Sequence, residues 1–189
     1  YKFVYSSRSV IKNRKDGKYT DDVWGDVAKD IEAFVPNGYT FYGEICGYTN
    51  SGKMIQKNYD YSVKPNTCEL FIYRITENMW DGGVRELSWN EISQLCKHHD
   101  LNIVPVYYVG LAKDHFDIPI DDNWSNTFLE KMKEHYLDKT CKLCTTGAVN
   151  EGVVLRVESK DNKIALKFKS PLFTLKEAEA RDNDEVDME

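Results

Sequence analysis

Long apolar runs, an excess of positive charge and a repeated metal-binding motif are all missing from this chain of 189 residues. Its longest apolar stretches, such as residues 103–109, are far shorter than the ~20 residues that a membrane-spanning helix needs. We therefore expect no membrane association. The net charge of −6 excludes the overall basicity of a passive nucleic-acid binder.

The negative charge is confined to the C-terminal end. Residues 177–189 hold seven acidic side chains and one arginine, which account for the whole net charge. We therefore predict one large domain over residues 1–176 that is neutral overall. A solvated, frayed acidic tail is predicted over residues 177–189.

Cysteine is scarce, and the five cysteines do not suggest a disulfide framework. Their number is odd and no secretory signal is visible, so we expect reduced thiols and an intracellular, cytoplasmic protein. Cys141 and Cys144 form one CxxC motif without a second. A zinc site would need further ligands from Cys96, His98 and His99, and plain thiols are the interpretation we favour.

Hydrophobic periodicity predicts an α+β fold, in which antiparallel sheets are covered by helices. A capping box at Ser88 and Glu91 opens one helix, and Thr20 or Asp21 is expected to cap the first. Asp16-Gly17 predicts a turn. The predicted helices cover residues 21–34, 89–99, 128–137 and 173–180, and the predicted strands cover 3–5, 39–46, 69–75, 103–109, 152–158 and 163–169.

Two lysines on the last predicted strand carry the first functional signal. Lys167 and Lys169 are two positions apart, so both side chains point to one face, where a phosphate chain would relieve their repulsion. A solvated edge strand protected from aggregation by its lysines is the alternative. Glu151 precedes the neighbouring strand, and it shares their face only if odd-numbered residues pair with odd-numbered residues.

Three further positions carry chemistry that suits a nucleotide. Glu44 lies near a strand end beside glycines that permit close backbone approach. Arg8 lies among serines and is suited to bidentate contacts with oxygen atoms. Phe71 and Tyr73 offer aromatic rings that can stack on a base, although each of these residues alone is also explained as an ordinary surface or core residue.

In this order and spacing, the motifs resemble those of the covalent nucleotidyltransferases, which include ATP-dependent DNA ligases, RNA ligases and mRNA-capping guanylyltransferases. The resemblance extends from Ser6 to about Phe173. It is greatest for the RNA ligases, to which the motifs Tyr-Gly-Glu-Ile-Cys-Gly at residues 42–47 and Lys-Phe-Lys-Ser-Pro at residues 167–171 are similar. A ligase-type nucleotidyltransferase (adenylation) domain is the fold that this resemblance implies.

The resemblance implies which residues contact the nucleoside of ATP. Arg8 matches the arginine that contacts the ribose and phosphate, and Glu44 matches the carboxylate that hydrogen-bonds the ribose. Tyr73 best matches the aromatic residue that stacks on adenine, with Phe71 as the second candidate.

A second group is implied at the phosphates. Lys167 and Lys169 match the lysines that bind the triphosphate and stabilise charge on the α-phosphate. Glu151 matches the acid that helps to hold a divalent metal, Mg²⁺ or Mn²⁺. Transfer of a nucleotidyl group needs such cations where phosphate charge develops.

The activity implied is that of an ATP-dependent RNA ligase. It would join the 5′-phosphate and 3′-hydroxyl ends of nicked or broken RNA through enzyme-adenylate and RNA-adenylate intermediates. Sealing of DNA nicks, capping of mRNA, and non-catalytic binding of nucleotide or RNA are the alternatives. Many relatives are viral, so a virus or phage origin is a hypothesis, and the oligomeric state is not predicted.

One feature of the resembling family has no match in the sequence. The family attacks ATP with the lysine of a Lys-x-Asp/His-Gly motif that lies upstream of the segment matched by Arg8. Lys2 does not begin such a motif, and the Arg14-Lys15-Asp16-Gly17 segment has arginine in place of the lysine and follows Arg8. We expect the sequence to start after that lysine, and a degenerate relative without it is the alternative.

Overall fold

The computed structural model describes residues 2–12, 22–159 and 163–182, with side chains up to residue 179. The described chain divides into two units. Unit 1 contains the chain up to Val104 together with Leu143–Thr146. Unit 2 contains Pro105–Lys142 and the chain that follows from Gly147. None of the described helices has the length and apolar character needed to cross a membrane.

Unit 1 is built on an antiparallel sheet with the strand order β1-β2-β3. Its buried core consists of residues from β2, from α2 and from the connection between β3 and α2, namely Ile72, Ile75, Leu87, Ile92 and Cys96. The elements are α1 (Val23–Ile31), a short 3-10 turn (Glu32–Phe34), β1 (Tyr39–Gly47), β2 (Cys68–Asn78), β3 (Val84–Glu86) and α2 (Trp89–His98).

The helices of unit 1 begin at side chains that accept backbone N–H groups. The capping box predicted for α2 is confirmed, because the Ser88 hydroxyl accepts the Glu91 amide and the Glu91 carboxylate accepts the Ser88 amide. For α1, the cap is Asp22, whose carboxylate accepts the Gly25 amide at 2.9 Å. The predicted caps Thr20 and Asp21, and the predicted turn at residues 13–18, lie outside the described residues.

Unit 2 contains a two-stranded antiparallel sheet and three helices. Phe128, Met132 and Tyr136 are spaced four residues apart along one face of α4, and they pack with Val153 and Leu155 of β4. The elements are α3 (Ala112–His115), α4 (Trp124–Tyr136), β4 (Gly152–Glu158), β5 (Lys163–Lys169) and α5 (Pro171–Asp182).

The α+β class and both strands of the final hairpin are confirmed, but two predicted strands are wrong. Within residues 103–109, only Ile103 bridges to the sheet, at Ile72, and residues 106–109 are exposed. Pro105 interrupts this segment because it has no N–H to donate. Residues 3–5 form no strand, and the Ser7 amide donates to the Val10 carbonyl at 2.9 Å, which closes a turn.

The C-terminal part of the described chain is helical. Helix α5 reaches Asp182, which confirms the helix predicted over residues 173–180 and makes the first six residues of the predicted acidic tail helical. The remaining seven residues lie outside the described part. The domain boundary at residue 176 stays a prediction.

Candidate functional site

The four residues expected to contact a nucleoside all lie in unit 1. Glu44 on β1 is directly opposite Phe71 on β2 in the antiparallel register. The register shifts beside them, because Tyr42 pairs with Arg74 and Gly43 pairs with Ile72, so Tyr73 is skipped. Irregularities of this kind re-aim side chains and are common beside active sites.

Tyr73 interacts electrostatically with two of the other predicted residues. Partial burial raises the pKa of its hydroxyl, the Glu44 carboxylate raises it further, and the Arg8 guanidinium acts in the opposite direction. The side chain of Tyr73 is nevertheless 41% exposed. The fold of unit 1 therefore brings Arg8, Glu44 and Tyr73 into one neighbourhood, in which an aromatic ring faces solvent.

Gly43 allows the close strand approach that was expected beside Glu44. A Cβ atom at this position would lie 2.7 Å from the Leu70 side chain and 2.8 Å from the Phe71 carbonyl oxygen. Both distances are too short for real atoms, so a larger residue would push β1 and β2 apart. The position of Glu44 against β2 thus depends on the glycine that precedes it.

The three residues expected to contact phosphates lie in unit 2. Lys167 and Lys169 are exposed residues of β5, opposite Val154 and Gly152 of β4. Both side chains lie on one face of the hairpin, as the strand period predicts. This face therefore carries two exposed lysines.

Glu151 lies close to Lys167, although the strand register does not place the two residues opposite each other. The hairpin pairs odd-numbered with even-numbered residues, so the odd-with-odd pairing required for a shared face does not occur. The Glu151 carboxylate nevertheless lies 3.7 Å from the Lys167 ammonium group. Glu151 precedes the first strand residue, and Gly152, at φ +143°, directs the chain away from regular strand geometry.

Lys169 has two neighbours on α5. The Glu177 carboxylate lies 2.6 Å from its ammonium group, and the Phe173 ring centroid lies 5.0 Å from the same nitrogen. Phe173 is buried, so its ring provides a fixed support under the cation. The phenylalanine of the Ser-Pro-x-Phe sequence thus contacts the second lysine.

Ser170 joins β5 to α5, and Asp138 holds it in place. The buried Ser170 hydroxyl accepts the Phe173 amide at 3.2 Å and donates to the Asp138 carboxylate at 2.5 Å. The Leu172 amide also donates to this carboxylate, at 3.0 Å. Serine before proline is a helix-start signal, but no local pattern could have predicted Asp138, which lies 32 residues earlier in the chain.

The described residues include no group of three or more histidine, cysteine, aspartate or glutamate side chains that could hold a metal ion. The cysteines of the described chain are free thiols. Burial raises the pKa of the Cys96 thiol to about 11, so this thiol stays protonated at neutral pH and is a poor ligand. A single carboxylate such as Glu151 can still serve a cation whose other ligands are phosphate oxygens and water.

The chain was compared with known families and proteins. A model of the RNA ligase family matches residues 3–170, a span that contains all seven predicted site residues. No curated protein matches the chain.

Proposed function

The chain belongs to the RNA ligase family, and on this premise we propose that it is the nucleotidyltransferase core of an ATP-dependent RNA ligase. Such an enzyme joins a 5′-phosphate to a 3′-hydroxyl in three steps. AMP is transferred to a lysine with release of pyrophosphate, then to the 5′-phosphate of the RNA, and the 3′-hydroxyl finally displaces it.

Three residues are proposed to contact the nucleoside. Tyr73 stacks on the adenine because its ring is exposed and its neighbours are polar, and base–aromatic stacking contributes about 1–3 kcal/mol. Glu44 accepts hydrogen bonds from the ribose hydroxyls, and Arg8 donates to the ribose and the phosphate. Phe71 is the second candidate for stacking, since it lies directly opposite Glu44.

Two lysines are proposed to contact the phosphates. The observation that carries the proposal is the pair of exposed lysines, Lys167 and Lys169, on one face of β5. Fixed cations of this kind stabilise the negative charge that develops on an α-phosphate during transfer. They need no rearrangement of solvent at the moment of reaction.

Glu151 is the candidate ligand for a divalent metal. Its carboxylate faces Lys167, so a cation held there by Glu151 and phosphate oxygens would lie beside the same phosphates as the lysine. Mg²⁺ is usually bound by one or two carboxylates together with substrate phosphates and water. When bound, Mg²⁺ or Mn²⁺ would neutralise charge on the departing pyrophosphate.

The test is transfer of labelled AMP from ATP to the full-length protein. Lys167→Ala should lower this labelling by about 10²-fold or more, the cost of losing one preorganised group that stabilises transition-state charge. Lys163→Ala is the matched control, because Lys163 lies at the other end of β5, opposite Glu158. Normal labelling of the Lys167 variant would contradict the proposal.

Comparing ATP with GTP, and RNA with DNA substrates, distinguishes the proposed RNA ligase from the alternative functions. Preferential labelling by GTP would indicate capping, and sealing of nicked DNA in preference to RNA would indicate a DNA ligase. Binding of ATP without any labelling of the wild-type protein would indicate a non-catalytic relative.

A further inference from the structure

A basic and aromatic cavity lies within unit 2, and none of the seven predicted site residues lines it. Its volume is about 240 Å³. Three rings, two lysines and one amide form most of its lining, namely Tyr107, His135, Tyr136, Lys139, Lys142 and Asn150.

Backbone hydrogen bonds connect the segment that carries the two lysines of this cavity to residues 148–150. The Asn150 amide donates to the Lys139 carbonyl at 2.7 Å, and the Cys141 amide donates to the Ala148 carbonyl at 2.8 Å. Thr140 pairs with Val149 between these two contacts. The backbone of Lys139 therefore lies in a short antiparallel ladder, and Lys142 follows its last residue directly.

The aromatic wall is partly fixed and partly exposed. Tyr136 is buried, and its hydroxyl lies 2.7 Å from Nε2 of His115. The Tyr107 ring centroid lies 5.2 Å from that of Tyr136, yet Tyr107 is 48% exposed. The Tyr107 ring thus packs against the buried Tyr136 ring, while much of its surface remains accessible to a ligand.

The cavity has a positive character. None of its described lining residues is acidic. Lys139 interacts electrostatically with Glu134 and Asp138, but both carboxylates have other donors, since Glu134 pairs with Lys131 at 3.0 Å and Asp138 accepts from Ser170. The cavity therefore combines an exposed ring with two cations, and no carboxylate of the described lining competes with an anionic ligand.

We propose that this cavity binds one nucleotide of the RNA strand, a role that rests on the proposed ligase function and adds a substrate subsite to it. The phosphate lies against Lys139 and Lys142, and the base stacks on Tyr107. Basic residues that follow the backbone and rings that stack on bases are the usual means of binding a single strand. The volume is below the ~300–1,000 Å³ of typical small-molecule pockets, which suits one unit of a strand better than a whole ATP molecule.

The experiment measures the affinity of the whole chain for a fluorescent single-stranded RNA by anisotropy. The double variant Lys139→Ala, Lys142→Ala should bind at least tenfold more weakly. The slope of log affinity against log salt concentration should also become shallower, by the equivalent of one to two lost phosphate contacts. The matched control removes two exposed lysines outside the cavity, Lys113→Ala and Lys133→Ala. Equal affinity of the two double variants, or no binding by the wild-type chain, would overturn the proposal.

Variants of Tyr107 test the stacking separately from charge. Tyr107→Phe should keep RNA affinity within about twofold, whereas Tyr107→Leu should lower it about tenfold, as loss of one base–aromatic stack predicts. Equal losses in both variants would overturn the stacking role. Competition by AMP alone, at concentrations similar to those of RNA, would overturn the assignment to a strand and indicate a site for free mononucleotides.

Measuring the transfer of labelled AMP to each variant distinguishes a failure of the cavity proposal from a failure of the proposed function. The cavity variants of the full-length protein should label normally with ATP while they lose RNA affinity. Normal RNA affinity in these variants, together with loss of labelling in Lys167→Ala, would refute the cavity proposal alone. Loss of RNA affinity with normal labelling of Lys167→Ala would refute the ligase roles instead.

Discussion

The Glu151 carboxylate lies 3.7 Å from the Lys167 ammonium group, although the hairpin register places Val154 opposite Lys167. Two backbone features produce this contact. Gly152 turns the chain at φ +143°, and the Ser170 amide donates to the Glu151 carbonyl at 2.8 Å. The carboxylate is therefore positioned by the bend before β4 and not by the alternation of the strand.

Replacement of Gly152 by alanine should disrupt this bend. A Cβ atom would overlap the Phe168 carbonyl oxygen, and the positive φ is itself unfavourable for alanine. We expect Gly152→Ala to lower the free energy of unfolding by about 2 kcal/mol or more, measured by urea denaturation.

Gly147→Ala is the control for this prediction. Gly147 also has a positive φ, of +71°, but a Cβ atom there would meet nothing within 4 Å. Its loss of stability should be about 1 kcal/mol. Similar losses in the two variants would mean that backbone strain, and not the contact with Phe168, dominates at Gly152.

The sequence predicted the local elements that carry their own signals. The strands β4 and β5 follow from runs of β-branched and apolar residues, and the start of α2 follows from its capping box. The segment 103–109 has the same apolar composition as a strand, yet Pro105 and a single bridge at Ile103 leave most of it outside any sheet. Composition alone does not distinguish these cases, because pairing depends on partners elsewhere in the chain.

The candidate site was predictable to the extent that its residues stand in motifs. Most members of the set could be located on the RNA ligase pattern from their neighbours, whereas the stacking residue was left as Tyr73 or Phe71. Asp138 and Glu177 could not, because their roles arise from contacts with Ser170 and Lys169 that only the fold creates. The unpaired position of Tyr73 in the strand register could not be predicted either, since a register shift has no signal in the sequence of β2.

Ser170→Ala should destabilise the junction between β5 and α5. The change removes the acceptor of the Phe173 amide and the donor to Asp138. Loss of a helix cap costs about 1 kcal/mol, and we expect a decrease of that order in the free energy of unfolding. Ser125→Ala, at an exposed serine near the start of α4, should change stability by less than about 0.5 kcal/mol.

The contribution of Asp138 to the free energy of unfolding should depend on pH. The hydrogen bonds from the Ser170 hydroxyl and the Leu172 amide hold the pKa of the Asp138 carboxyl below its ordinary value. A lowered pKa in the folded state means that the stabilisation is present above the unfolded-state pKa, about 3.9, and is lost as pH falls through the folded-state pKa.

Asp138→Asn tests this dependence, because asparagine tolerates the φ of +53° at this position. The variant should be less stable than the wild type at pH 6, and the difference should shrink as the pH is lowered below about 4. Urea denaturation at several pH values measures it. A stability difference between the two proteins that stays constant from pH 6 to pH 3 would show that the ionised form of Asp138 is not the source of the stabilisation.

Tyr73→Ala should weaken the binding of ATP about tenfold or more, as expected when one base–aromatic stack is lost. Partial burial and the Glu44 carboxylate raise the pKa of the Tyr73 hydroxyl, so this group is neutral at pH 7 and the ring supplies the interaction. Tyr73→Phe should therefore bind ATP almost as the wild type does. Calorimetry with ATP measures both, and a larger loss in Phe71→Leu than in Tyr73→Ala would assign the stacking to Phe71.

Glu177→Gln should strengthen the binding of ATP. In the structure, the Glu177 carboxylate lies 2.6 Å from the Lys169 ammonium group, so a phosphate that binds Lys169 must compete with it. A partly exposed ion pair contributes about 0.2–1 kcal/mol, and we accordingly expect an affinity gain of about two- to fivefold at low salt. Glu179→Gln, at an exposed acid on the same helix, removes the same charge and should leave the affinity unchanged.

The dependence on salt separates competition from positioning. If Glu177 competes with phosphate for Lys169, the advantage of the Glu177→Gln variant should disappear at about 1 M salt, where the Debye length falls to about 3 Å. Weaker binding by Glu177→Gln at every salt concentration would show the opposite relationship, in which Glu177 orients Lys169 toward the phosphate. In that case the Ser-Pro-x-Phe segment and α5 would act as a support for the lysine, and ATP binding would require the ion pair to persist.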